Sequence, residues 1–291
     1  MVGGDGVSNS NSVEILSTDQ SLTDIRIANL PNDLSVPKNN PSLFVHDGSL
    51  LLCGGEGNLK DCHEFKNGKW TKHSTLENNR KWASAVTTQS GTYIFGGISS
   101  ATTYEFLPAK SKSWERFDTK IPNGFKTGCA VEIPGEEILL IGGFNTFRRL
   151  LKYNIETETF EELDTKLKNG RIGQNCALMP GDNTKVVITG GQDSDFDALD
   201  STEILDLKDF TISNGSPMND KRADHGIGSL VIDGEEKLVV FGGKDDSDPH
   251  TSLEVFNPRT LRWEFSSALS LKDARNQFGY VTVPNEVISK L

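Results

Sequence analysis

The chain has 291 residues, 30 basic and 41 acidic side chains, a net charge of −11 and a pI near 5.0. That balance argues against a protein that grips nucleic-acid phosphates, which needs clustered Lys and Arg, and no run of 18 apolar residues is available to cross a membrane. A hydrophobic class of 35% together with 28 glycines is enough for a folded core and excludes wholesale disorder.

Length alone suggests roughly two domains, but the glycines carry a repeat that changes the count. Gly3-Gly4 stands behind only Met1 and Val2, with Ile15 and Leu22 marking a hairpin downstream. The next stretch shows the full pattern. Leu43–Val45 reads as one strand, His-Asp-Gly as a turn, and Leu50–Cys53 as a second strand. Gly54-Gly55 follows, and then a second hairpin with Phe65 and Trp70 as its bulky residues. The same order recurs at Ser84–Thr88, Gly96-Gly97, Phe106 and Trp114. It recurs at Cys129–Ile133, Gly142-Gly143, Tyr153 and Phe160, and again at Cys176–Met179, Gly190-Gly191, Leu205 and Phe210. The last full copy holds Gly228–Ile232, Gly242-Gly243, Phe256 and Trp263. Gly279–Val283 then begins a further copy with no doublet behind it. The apolar runs are short and rich in β-branched and aromatic residues, so they read as buried strands. A Gly-Gly after each lets the chain turn with positive φ and approach a neighbour closely.

Four short strands every 42–52 residues, with no helical period, predict an all-β, six-bladed β-propeller with four antiparallel strands per blade. The doublet, aromatic anchor and Trp resemble the kelch repeat over essentially the whole chain. The expectation is one kelch-type domain over residues 1–291. Gly279–Val283 would complete blade one and close the ring, with Val287–Lys290 and Met1–Val2 as halves of one cut strand. The first 30 residues lack the apolar core of a signal peptide, so none is expected in this sequence.

Four cysteines are present. Cys53 and Cys62 could face each other across one hairpin. The block from Leu51 to Trp70 resembles secreted kelch-like proteins of invertebrates, a resemblance that implies a disulfide there. Two buried thiols are the alternative. Cys129 and Cys176 read as equivalent places in consecutive blades, a slot that Ser84, Gly228 and Gly279 also fill, and so as buried free thiols. Cys and His spacings match no zinc site, and neither metal nor cofactor is expected. Asn214-Gly215-Ser216 is the lone sequon.

Two sets of loops are candidates for function. The segments leading into the blades carry Arg80, Lys126, Arg171, Arg222 and Arg275, with Trp82 and His225 beside them. In the kelch proteins this chain resembles, arginines at that place line a partner-binding face. Because the cation recurs in most blades, bracing between loops is the expected role for the majority, with partner binding left to two or three. The loops after Gly190-Gly191 and Gly242-Gly243 are acidic, with Asp193, Asp195, Asp197 and Asp200, then Asp245, Asp246, Asp248 and His250. Ala198 and Ile204 break an EF-hand reading, and an iron-type acid/His triad is incomplete because Gly242 holds its leading position. The expected function is a monomeric, non-enzymatic module that binds a protein partner. An extracellular carbohydrate-binding or matrix module, or a small-molecule isomerase or oxidase on a kelch ring, are the alternatives.

Overall fold

The computed structural model describes Met1 and residues 12–13, 28–29, 39–57, 59–66 and 69–283. Among them there is no helix. Beyond a two-residue pair, β1 (Ser12–Val13) with β2 (Ala28–Asn29), they form five four-stranded antiparallel sheets. The first sheet is β3 (Ser42–His46), β4 (Ser49–Cys53), β5 (Asp61–Lys66) and β6 (Lys69–Thr75). The second is β7 (Ser84–Thr87), β8 (Gly91–Phe95), β9 (Tyr104–Pro108) and β10 (Glu115–Arg116). The third is β11 (Cys129–Ile133), β12 (Glu137–Ile141), β13 (Leu150–Asn154) and β14 (Thr159–Glu162). The fourth is β15 (Asn175–Met179), β16 (Asp182–Thr189), β17 (Thr202–Asp206) and β18 (Thr211–Asn214). The fifth is β19 (Gly226–Ile232), β20 (Glu235–Phe241), β21 (Ser252–Asn257) and β22 (Arg262–Ser270).

Each sheet is an up-and-down meander in chain order, the blade of a β-propeller. The count is five blades, not the expected six. Most of the segment assigned to blade one lies outside the described residues, as do Val287–Lys290 and Val2 of the expected cut strand. Residues 279–283 are described but are not a strand.

The chain divides into two compact units, one holding the first and second sheets with 277–283, the other Thr127–Asn276 with the remaining three. In the first unit β3 lies beside β7; in the second, β11 lies beside β15 and β15 beside β19. The sheets therefore stack face to face, and the core fills the gaps between them. Phe44, Leu51, Ile94, Leu107 and Trp114 fill one gap of the first unit. Leu139, Ile141, Leu150, Val186, Ile188 and Leu205 fill one of the second. The bulky hairpin residues sit where the repeat puts them. Phe65–Trp70, Tyr153–Phe160 and Phe256–Trp263 are direct cross-strand pairs, with ring centroids 5.1, 4.8 and 4.9 Å apart. Trp114 Nε1 donates to Ser74 Oγ, and Trp263 Nε1 to Thr202 Oγ1, each on the preceding sheet and each at 3.1 Å. Phe210 departs from the pattern: it sits in the turn at φ 53°, and Ile212 faces Leu205 instead.

The first glycine of a doublet is required by close approach. A Cβ on Gly96 would lie 1.8 Å from the carbonyl oxygen of Phe125, and one on Gly190 2.2 Å from that of Arg222. The second glycine donates its N–H to the same carbonyls, as Gly97 to Phe125 and Gly191 to Arg222.

All four cysteines are paired, each pair within one unit. Cys53 and Cys62 are cross-strand partners on β4 and β5, with Cα atoms 4.1 Å apart. Cys129 and Cys176 are joined as well, with Cα atoms 5.9 Å apart, which corrects the expectation of free thiols. The reason is register. Cys129 faces Ile141, next to Gly142, whereas Cys176 faces Ile188, one place further from Gly190. That single offset puts them on opposite faces of their own sheets, so they meet across the gap between β11 and β15.

Candidate functional site

The lead-in segments hold most of the charge that the sequence singles out, and they hold it inside. Arg80, Arg171 and Arg222 are at most 1% exposed. Each reaches a glutamate on the third strand of its own sheet: Glu105 at 2.7 Å, Glu203 at 2.7 Å and Glu254 at 3.1 Å, all equally buried. Nη2 also donates to a hydroxyl, of Thr103, Ser201 or Ser252 in turn, and Nη1 donates to carbonyls. Arg80 Nη1 donates to Gly96 and Thr103, Arg171 Nη1 to Gly190 and Ser201, and Arg222 Nη1 to Gly242 and Ser252. The carboxylates also accept backbone N–H groups from the turn before the arginine: Glu77 and Asn78 on Glu105, Lys168 and Asn169 on Glu203, and Asn219 and Asp220 on Glu254. Burial pulls the guanidinium pKa of Arg80 and Arg171 down, opposed by Glu105 and Glu203. These arginines brace the blades, and their donors are not presented to a partner.

Lys126 is not the equivalent residue in the third sheet. The place is defined by the carbonyl that receives the doublet's second N–H, and there it belongs to Phe125, buried at 1%. The glutamate position opposite is Leu151, since Leu140 faces Leu151 as Ile94 faces Glu105. Pro122, which has no N–H to satisfy, replaces the first turn donor. In the third repeat the arginine and glutamate positions are thus both apolar, and the first turn donor is a proline. Arg275 supplies the same carbonyl to Gly243 and is also buried.

Three residues after Arg222, His225 is buried, with Nε2 2.8 Å from Thr189 Oγ1. Burial, then the charges of Arg222 and Arg171, push its pKa down to about 3. Of the seven residues expected to meet a partner, only Trp82 and Lys126 keep partial exposure. The Lys81 ammonium sits 5.1 Å over the Trp82 ring.

Trp82 also belongs to a backbone feature that the sequence did not reveal. Asn40, Trp82 and Gln277 in the first unit, and Thr127, Gly173 and Asp224 in the second, all have φ between 52 and 61°. They are joined head to tail. Trp82 N–H donates to the Asn40 carbonyl and Asn40 N–H to that of Gln277; Asp224 N–H donates to Gly173 and Gly173 N–H to Thr127.

The acidic loops are built as well as charged. Asp193 Oδ1 accepts the N–H groups of Asp195 and Asp197, and Asp245 Oδ1 those of Ser247 and Asp248. Asp246 Oδ1 takes the N–H of Ala198 at 2.6 Å, tying one loop to the other, and Oδ2 meets Lys221 Nζ. These bonds hold the Asp245 and Asp246 carboxyls below the usual carboxylate range. Asp200 lies at the foot of the first loop, where its carbonyl takes the Met218 N–H. His250 Nε2 contacts the Lys221 carbonyl at 3.1 Å. Among the described residues no group of three or more His, Cys, Asp or Glu side chains is set to hold a metal ion. At the tip of the first loop Phe196 is 55% exposed, between Asp195 and Asp197. Its carbonyl is held by Gln192 Nε2. Phe144 and Phe147 pair at 6.1 Å in the corresponding loop of the third sheet.

Meandering four-stranded sheets, doublet glycines set against lead-in carbonyls and Trp residues bridging neighbouring sheets define a β-propeller protein. The kelch motif model matches residues 228–270. A kelch repeat-containing protein of Dictyostelium discoideum is 24% identical over 208 residues, 64% of this chain and 31% of that protein. The acyl-CoA-binding domain-containing protein 5 of Arabidopsis thaliana is 27% identical over 203 residues, 62% of this chain and 30% of that protein. The chain thus matches about a third of the length of these curated relatives. The solved structure of YjhT superposes with a TM-score of 0.70 at 15% identity, covering 85% of this chain and 88% of that one, a likeness of fold. The chain thus carries a kelch motif at residues 228–270 and is similar to kelch repeat-containing proteins.

Proposed function

We propose that the chain is a non-enzymatic protein-interaction module, and that its contact surface in the second unit is the loop pair headed by Phe196 and tied together by Asp246. The observation that carries this is the division of labour among charges. The arginine and glutamate side chains are spent on bracing, while the exposed loop charge is acidic and surrounds an aromatic side chain whose loop is already fixed by hydrogen bonds. A preformed aromatic tip loses little entropy on docking. It fits a protein partner offering an apolar pocket rimmed by Lys or Arg. Phe196→Ser is expected to leave stability unchanged within about 0.5 kcal/mol, because the side chain is exposed, and to lose the partner recovered by cross-linking to the wild-type chain. The same partner on both proteins would overturn the assignment.

We also propose a sixth blade that contains residues 279–283. Three observations support it. The lead-in pattern is repeated a sixth time, with Gln277 at φ 56° and its carbonyl bonded by Asn40. Val281 and Val283 pack on the cluster of Leu43, Leu50, Leu52, Phe65 and Trp70. Trp70 Nε1 is buried and has no acceptor among the described residues, where Trp114 and Trp263 each find one on the preceding sheet. Hydrogen exchange tests it: the amides of 279–283 should be protected as strongly as those of β7, and rapid exchange there would remove the sixth blade.

A further inference from the structure

We infer that Asn214 is an N-glycan attachment site on a chain that matures in an oxidising compartment. The inference is independent of where a partner docks. Asn214-Gly215-Ser216 is the one sequon of the sequence; Asn40-Pro41-Ser42 has the excluded proline at its centre. Asn214 ends β18, the outermost strand of the fourth sheet, and is exposed. Its side chain makes no hydrogen bond among the described residues, whereas Gly215 is pinned at once by its N–H to the Thr202 carbonyl at 2.8 Å. A Cβ on Gly215 would lie 2.8 Å from Thr202 Cγ2, so glycine at the middle of the triplet lets the chain lie close to β17 while Asn214 points clear. A bulky polar group on Asn214 therefore displaces no packed side chain.

The second line of observation is the cysteines. No cysteine is free; both pairs are joined, one within a sheet and one between two sheets. Disulfides persist in secreted and endoplasmic-reticulum proteins and are rare where glutathione keeps thiols reduced, and N-glycans are added in that same compartment. Each pair gives two electrons and two protons to a disulfide-bearing oxidoreductase. The Asn214 Nδ2 forms a bond to the anomeric carbon of a lipid-pyrophosphate-linked oligosaccharide, the bond from that carbon to the pyrophosphate oxygen breaks, Nδ2 loses a proton, and the lipid pyrophosphate leaves.

The test is peptide mapping of the full-length protein purified from its own source. Peptide N-glycosidase in ¹⁸O-water converts a glycosylated Asn to labelled Asp. Labelled Asp at 214, with Cys53–Cys62 and Cys129–Cys176 peptides linked before reduction, is the expected result. An unmodified Asn214 overturns the proposal. As a control on folding, Ser216→Ala secreted from eukaryotic cells should lose the mass of the glycan, and Ser216→Thr should keep it, both with the wild-type thermal transition. An Ala variant that keeps the glycan counts equally against it.

Discussion

Glu254→Ala is expected to lower the free energy of unfolding by about 3–5 kcal/mol, the cost of leaving a buried guanidinium without its carboxylate. Arg222 then retains the carbonyls of Gly242 and Ser252, but its charge has no counter-ion close by except the half-exposed Asp220. The N–H groups of Asn219 and Asp220 lose their acceptor as well. The third repeat has uncharged residues at the same positions. It carries Phe125, Leu151 and Pro122 where the fifth carries Arg222, Glu254 and Asn219. The triple variant Arg222→Phe, Glu254→Leu, Asn219→Pro is therefore expected to recover at least half of what Glu254→Ala loses. Urea unfolding of the three proteins measures it. A triple variant no more stable than the single one would mean that the two sheets do not share one bracing plan.

The second large effect is acid sensitivity centred on His225. In the unfolded chain a histidine takes up its proton near pH 6.5, whereas in the folded chain burial delays uptake to about pH 3. Between those values the unfolded state holds more protons, so stability falls as pH falls. The penalty is absent above pH 6.5, grows through the window and is complete near pH 3. At pH 4 it is on the order of 3 kcal/mol. Gln174 occupies the same place in the fourth sheet, three residues after Arg171, and is also buried. His225→Gln should therefore be tolerated and should flatten stability between pH 6.5 and 4 relative to wild type. Equal slopes for the two proteins would place the acid sensitivity elsewhere.

The second strand of each described sheet could be read from the sequence because it is bounded by chemistry with one structural meaning: a turn with glycine at one end and a doublet at the other. Bracing was harder to read. Charge alone points to Lys126, one residue beyond Phe125, because the place is set by a main-chain carbonyl and not by charge. The matching glutamates were visible as acids breaking apolar strands, in Tyr104-Glu105-Phe106, Thr202-Glu203-Ile204 and Leu253-Glu254-Val255. They signal burial with a partner, since an unpaired carboxylate is not tolerated there. The Cys129–Cys176 pair was missed by one residue of register, a distinction that spacing to a doublet cannot make when β16 carries a bulge beside Met179. The exposed Phe196 has no signature at all in sequence; a phenylalanine between aspartates is equally compatible with a loop folded inward.

The head-to-tail residues of the lead-in segments carry one further consequence. Their bonds join main chain to main chain through a left-handed backbone, and Asn40 Nδ2 adds a side-chain bond to Gln277 Oε1 at 3.2 Å. The six occupants are Asn40, Trp82, Thr127, Gly173, Asp224 and Gln277, no two alike. Each unit thus repeats one main-chain contact along three different residues. One backbone contact is therefore compatible with six different residues.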